Sequence, residues 1–196
     1  MKKNLLYQLA EKNYGYITTS EAEDAGLSRR YFSTLVKEWG FLRVGRGLYL
    51  SPDGWRDAMY ELQYQFPRAI FSHASALYLH GLTESDVGRF FVTVPSGHNA
   101  KGLYKLGCTV HYIDKKHYDL GKTTVRSWVG HDIVCYDKER SICDLLRAGS
   151  SVGQQDREYA LKTYFRQEDR RLSYLVTVAE ALGVREKLMT YIEVLT

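Results

Sequence analysis

A chain of 196 residues accommodates one large domain or two small ones, at roughly 100–200 residues per domain. Hydrophobic residues at 44% and charged residues at 26% exclude wholesale disorder, and the 3 prolines and 16 glycines exclude collagen-like and low-complexity classes. The net charge is +4 and unevenly placed: residues 27–47 hold Arg29, Arg30, Lys37, Arg43 and Arg46 against Glu38 alone, so a polyanion would dock near the N-terminus. No apolar run approaches the roughly 18–20 residues that span a bilayer, so no membrane partner is expected. The basic, then apolar, start is broken by Gln8, Glu11, Lys12 and Asn13 and reads as an amphipathic helix, not a signal peptide. The 3 cysteines, Cys108, Cys135 and Cys143, are too few and too scattered for a disulfide framework, which fits a reducing cytoplasm.

In chain order, Leu5, Leu6 and Leu9 form one helical stripe over residues 2–13. Ser20 with Glu23 three residues later predicts a capping box and a short second helix that ends at Gly26. Ser28 predicts the N-cap of a third helix, Arg29 to Glu38, with Phe32, Leu35, Val36 and Trp39 inward and Arg29, Arg30, Ser33, Thr34 and Lys37 outward. Phe41–Val44 and Leu48–Leu50 flank Gly45-Arg46-Gly47, which predicts a hairpin. Helix, helix, Gly turn, helix and hairpin is the order of a winged helix-turn-helix. The turn Ser51-Pro52-Asp53-Gly54 predicts a boundary, giving domains 1–53 and 54–196. Trp55, Met59, Leu62 and Phe66 predict a connecting helix over 54–66. Beyond it come a capped helix from Ser72 to Leu82 and strands at Phe90–Val94, Cys108–Ile113 and Asp132–Tyr136. Helices follow at about 138–147, 155–167 and 170–195, the last broken at Gly183. Strands first and helices last make the second domain mixed, and the fold class α+β.

A recognition helix reads the major groove with residues near its N-terminal end. Arg29 and Arg30 hold that position, and arginine's donor fork matches guanine O6 and N7. Ser33 and Thr34 could touch bases or phosphate, and Lys37 extends the face. Arg43 and Arg46 sit where a wing meets phosphate or the minor groove. Thr18, Thr19, Ser20 and Ser28 stand at helix N-termini, whose N–H groups favour phosphate. A lone basic helix face is usually a solvated surface; its coincidence here with a Gly turn, a capped helix and a basic hairpin shifts the reading to double-stranded DNA.

Other chemistry is thin. His73 and His80 are two helical turns apart, about 10 Å, too far to share a metal ion, and Cys108 with His111 lacks a second ligand pair. No cofactor is expected. Asp114-Lys115-Lys116 carries a nuclease-like Asp-x-Lys, with Asp53 as a distant partner, but reads as a solvated loop. There is no Gly-x-Ser-x-Gly elbow, phosphate loop or His-Glu-x-x-His, so no enzyme is expected. Residues 101–126 are locally +4, a second candidate polyanion surface.

Four stretches resemble one family. They are Tyr16-Ile17-Thr18-Thr19-Ser20-Glu21-Ala22 with Gly26-Leu27-Ser28 and Phe41–Tyr49; Phe71-Ser72-His73-Ala74-Ser75-Ala76-Leu77-Tyr78-Leu79-His80-Gly81-Leu82; Phe91-Val92-Thr93-Val94-Pro95; and Val134–Arg147. In this order they resemble AbiEi-type antitoxins. The chain departs from the family's Gly-rich turn after the recognition helix, with Lys37-Glu38-Trp39-Gly40 there. The resemblance implies the antitoxin half of a type IV abortive-infection (phage-resistance) system. Its winged helix would bind inverted repeats in its own promoter and repress transcription. Its C-terminal domain would counter a nucleotidyltransferase-like toxin without a stable complex. The competing readings are a winged-helix regulator with a ligand-sensing second domain and a metal-dependent DNA nuclease using Asp114 and Lys116.

Overall fold

A computed structural model describes residues 2–84, 88–150 and 152–195. The elements are α1 (Lys2–Glu11), β1 (Tyr16–Thr18), α2 (Thr19–Asp24), α3 (Arg29–Glu38), β2 (Leu42–Gly45), β3 (Leu48–Leu50), α4 (Ala58–Gln65), β4 (Ile70–Phe71), α5 (His73–Leu79), β5 (Phe91–Pro95), α6 (Lys101–Lys105), β6 (Thr109–Ile113), α7 (Lys115–Tyr118), β7 (Lys122–Arg126), β8 (Asp132–Tyr136), α8 (Lys138–Leu146), α9 (Gln154–Arg166), α10 (Leu172–Ala181) and α11 (Arg185–Leu195). The fold is mixed α and β, with a winged-helix order of elements first and a run of helices last. Among the described residues no helix is long and apolar enough to cross a membrane.

The chain forms two compact units. The first runs to Pro67 and takes in Arg126–Ile133; the second is Arg68–Val125 together with the chain from Val134 onward. The division therefore differs from a single cut after residue 53.

In the first unit, Leu6, Ala10, Ile17, Ala22, Leu27, Phe32, Leu35, Val36 and Phe41 make one buried cluster. Each of its leucine, isoleucine, valine and phenylalanine side chains contributes roughly 1.5–3 kcal/mol when fully removed from water. A small antiparallel sheet, ordered β1-β3-β2, closes one side. The expected capping box at Ser20 and Glu23 is corrected to Thr18 and Glu21. The Thr18 hydroxyl accepts from the Glu21 N–H, and Glu21 Oε2 accepts from the Thr18 N–H at 2.7 Å. Pairing of Thr18 with Leu48 keeps residues 16–18 extended, so the helix begins right after them. The connecting helix is shorter than 54–66, because Asp57 caps it by accepting from the Tyr60 N–H; Trp55 lies before it, 70% exposed and outside the stripe assigned to it.

Asp57 also ties in the 126–133 segment. Its Oδ2 lies 2.8 Å from His131 Nδ1 and accepts from the Ser127 hydroxyl. The His131 ring stacks on Tyr60 at 4.0 Å and meets the edges of Tyr14 and Tyr16. The Tyr16 hydroxyl accepts from the Asp57 N–H and donates to Glu61.

In the second unit a five-stranded sheet runs β6-β5-β4-β8-β7. β4 is antiparallel to β5 and parallel to β8, and β5 is parallel to β6. Its largest core joins α5 and α8 to the terminal helices through Leu77, Ile142, Leu145, Leu161, Tyr164, Leu175, Val178 and Leu188. All three cysteines are buried thiols. Beneath this core lies a charged group: Arg140, fully buried, donates to both oxygens of Asp144 at 3.1 Å and to the carbonyls of His117 and Leu120. Gly121, at φ +74°, fits against it; a Cβ there would stand 2.5 Å from the Arg140 Cβ. Gly121→Ala is expected to lower stability by about 1–3 kcal/mol, seen as a lower denaturant midpoint with unchanged secondary structure.

His73, at φ +48°, stacks on His111 at 3.7 Å, and His80 Nε2 lies 2.7 Å from the Tyr136 carbonyl. Burial lowers the pKa of all three, joined at His73 by the neighbouring His111 and Arg147. They are therefore neutral in the fold, whereas in the unfolded chain they protonate near pH 6.5. Stability from these groups is complete above that pH and falls as the pH drops below it, by up to about 1.4 kcal/mol per pH unit for each histidine. A urea midpoint clearly lower at pH 5.5 than at pH 7.5 is the expected result. His73→Gln should flatten the dependence; an unchanged slope would show that these rings titrate normally.

Candidate nucleic-acid interface

The turn between α2 and α3 is built by local rules. Ala25 closes α2, and Gly26 takes φ +84°, which glycine adopts without a Cβ penalty. The Leu27 N–H donates to the Ala22 carbonyl and the Gly26 N–H to the Glu23 carbonyl, a Schellman closure. Ser28 then caps α3 by accepting from the Tyr31 N–H at 3.4 Å. The far end of α3 repeats the device: Gly40 is at φ +70°, and the Phe41 N–H donates to the Val36 carbonyl. One glycine thus supplies the helix stop at Lys37-Glu38-Trp39-Gly40.

α3 buries Phe32, Leu35 and Val36, leaves Trp39 half-buried, and exposes Arg29, Arg30, Ser33, Thr34 and Lys37. At about 100° per residue, Arg30 and Lys37 sit at the middle of the outer face, with Ser33 and Thr34 on either side. Arg29 falls at the flank beside the buried Val36, where its guanidinium meets Glu23 of α2 in a two-point ion pair. That contact raises the Arg29 pKa and ties up its donor fork. Arg30 has no ion-pair partner among the described residues; the Thr34 hydroxyl donates to its backbone carbonyl at 3.2 Å. Tyr31, also exposed, sits on the opposite flank and was not singled out from sequence.

The hairpin is a two-residue turn, Arg46-Gly47, between β2 and β3, with Gly47 at φ +73°. It is not free-standing: the Thr19 N–H donates to the Gly47 carbonyl at 2.9 Å, and Gly45 lies against Gln65 of α4. Arg43 and Arg46 are exposed on it, as is Leu42. Thr18 is corrected as a phosphate anchor. It is 8% exposed, and its N–H and hydroxyl are both engaged with Glu21, whose carboxylate occupies the helix N-terminus. Thr19 is half-buried and turned toward Gly47, while Ser20 is exposed.

The alternatives fare differently. Asp114 caps α7: one oxygen accepts from the His117 N–H and the other pairs with the His117 ring, both at 3.0 Å. His73 is buried in its stack with His111, and His80 is turned to the Tyr136 carbonyl. Among the described residues no three or more His, Cys, Asp or Glu side chains group so as to hold a metal ion. In the basic 101–126 stretch, Lys122 pairs with Asp119 and Arg126 with Asp132.

No curated protein matches the chain. The fold is similar to the crystal structure of the RV2827C protein from Mycobacterium tuberculosis, at 14% identity and a TM-score of 0.58, over 96% of this chain and 79% of that one. At that identity the likeness concerns fold. Residues 4–52, which span α1 through β3, match the family model described as "Transcriptional regulator, AbiEi antitoxin". The capped turn, the outward basic helix and the braced hairpin all lie inside that span, so it is the N-terminal segment of this chain that is similar to AbiEi antitoxin transcriptional regulators.

Proposed function

We propose that the chain is an autorepressor and antitoxin whose α3 enters the major groove at inverted repeats in its own promoter. The observation that carries this reading is the outer face of α3, where Arg30 and Lys37 stand exposed and central while the opposite face is sealed into the core. Arg30 reads a guanine edge, the Thr34 methyl suits a thymine methyl, and Lys37, Arg43 and Arg46 contact phosphate. Arg29, held by Glu23, serves the backbone at the rim. The second unit counters a nucleotidyltransferase-like toxin, as the family resemblance implies.

DNase footprinting of the DNA upstream of the gene tests the first half. Two protected half-sites spaced by whole helical turns are expected; protection that is uniform along random DNA would sink autorepression. For the second half, the full chain carrying R30Q and K37Q, defective on DNA, is expected to rescue growth of cells expressing the neighbouring toxin gene. Loss of rescue with soluble protein present would reject separate roles for the two units.

A further inference from the structure

The second unit contains a cavity of about 540 Å3 at the C-terminal end of α8, within the roughly 300–1,000 Å3 range of small-ligand sites. Its wall carries three cations, Arg147, Arg157 and Lys187, and three hydroxyl side chains, Ser150, Thr190 and Tyr191; among the described residues no aspartate or glutamate lines it.

The cations have local partners, but too few. Lys187 Nζ donates to the Leu146 carbonyl at 3.2 Å, using one of three ammonium protons. Arg157 Nη2 makes long contacts to Ser150 Oγ at 3.3 Å and the Val152 carbonyl at 3.4 Å, and its buried Nε has no hydrogen-bond partner among the described residues. Arg147 reaches Asp144 only at 3.5 Å, and that carboxylate is already shared with Arg140 at 3.1 Å. The carbonyl end of α8 offers about half an elementary charge. Among the described residues one cation is thus accounted for at most, and a surplus near two positive charges remains around a roomy space.

That surplus matches a phosphomonoester, which carries about −1.5 to −2 charges near neutral pH and three strong acceptor oxygens. Arginine forks and a lysine are the donors such a group takes. We infer that this cavity binds a small phosphomonoester, the phosphoryl group lying among Arg147, Arg157 and Lys187 and the remainder against Tyr191. The site is independent of the DNA-reading face and makes the second unit a receptor for a soluble anion.

Isothermal titration calorimetry on the full chain, in chloride buffer without DNA, tests this with inorganic phosphate, glucose 6-phosphate and AMP in separate runs. Saturable binding of one equivalent is expected for at least one probe, and the tightest probe identifies the organic part. K187Q and R157Q are each expected to weaken it at least tenfold, with R30Q/K37Q unchanged. Lys187 is exposed on α11, so K187Q keeps the test valid should R157Q fail to fold. Absence of saturable heat with all three probes overturns the inference, as does affinity unchanged in K187Q or lost in R30Q/K37Q.

Discussion

Arg30→Gln combined with Lys37→Gln is expected to weaken promoter binding by roughly 30- to 1,000-fold, while the folded chain keeps its thermal midpoint. Losing a bidentate arginine–guanine contact costs about 1–3 kcal/mol, and a lysine–phosphate contact about 1 kcal/mol more. Tenfold corresponds to about 1.4 kcal/mol. The two residues should separate in their signatures. Arg30→Gln relaxes preference at one base pair. Lys37→Gln weakens all sequences alike and reduces the dependence of log affinity on log salt by about 0.9. Arg29→Gln is the internal comparison: bound to Glu23 at the flank, it should cost less than Arg30→Gln. Gel-shift titrations at several salt concentrations read all three, and an Arg29 effect larger than that of Arg30 would reverse the orientation assigned to α3.

The largest stability effect is expected at Arg140. Burial pushes the Asp144 carboxyl up, and Arg140 beside it offsets only part of that rise. Arg140→Met would leave that carboxyl, among the described residues, with only the 3.5 Å side-chain contact to Arg147, and would remove the Arg140 donor from the Leu120 carbonyl and from the His117 carbonyl, which keeps only backbone donors. Removing one member of a buried ion pair costs about 3–5 kcal/mol. Removing both is often far cheaper, so Arg140→Met with Asp144→Leu should recover most of the loss. Urea unfolding followed by circular dichroism measures both variants. A single variant within about 1 kcal/mol of the parent would mean that the pair contributes little.

The longer helices of this fold were legible because their signals are local, whereas the short α6 and α7, of five and four residues, were not. Ser28 ahead of Phe32, Leu35 and Val36 announces α3 unaided, and the break at Gly183 falls where α10 gives way to α11. The hairpin was legible from Gly45-Arg46-Gly47. Strands without an apolar alternation were not: β4 is two residues long, and β7, Lys-Thr-Thr-Val-Arg, is an edge strand with no buried position. Two overlapping capping boxes, Thr18/Glu21 and Ser20/Glu23, both satisfy the sequence rule. Only the pairing of β1 with β3 chooses between them, and that pairing joins residues some thirty positions apart. The outward face of α3 was readable from its period, but the Arg29–Glu23 pair depends on how α2 crosses α3. The cationic cavity was invisible for the same reason: Arg147, Arg157 and Lys187 come from separate helices and turns, and none sits in a motif.

The contact of Asp57 with His131 carries a consequence for synthesis. The first compact unit is completed by residues 126–133, which leave the ribosome long after Pro67. At about 5–20 residues per second, the wait is roughly 3–13 s. During it, the tyrosines that surround His131 have no imidazole to pack against. A nascent chain therefore holds α3 before it holds the clasp that finishes that unit, and the unit is completed only once the half that follows it has been translated.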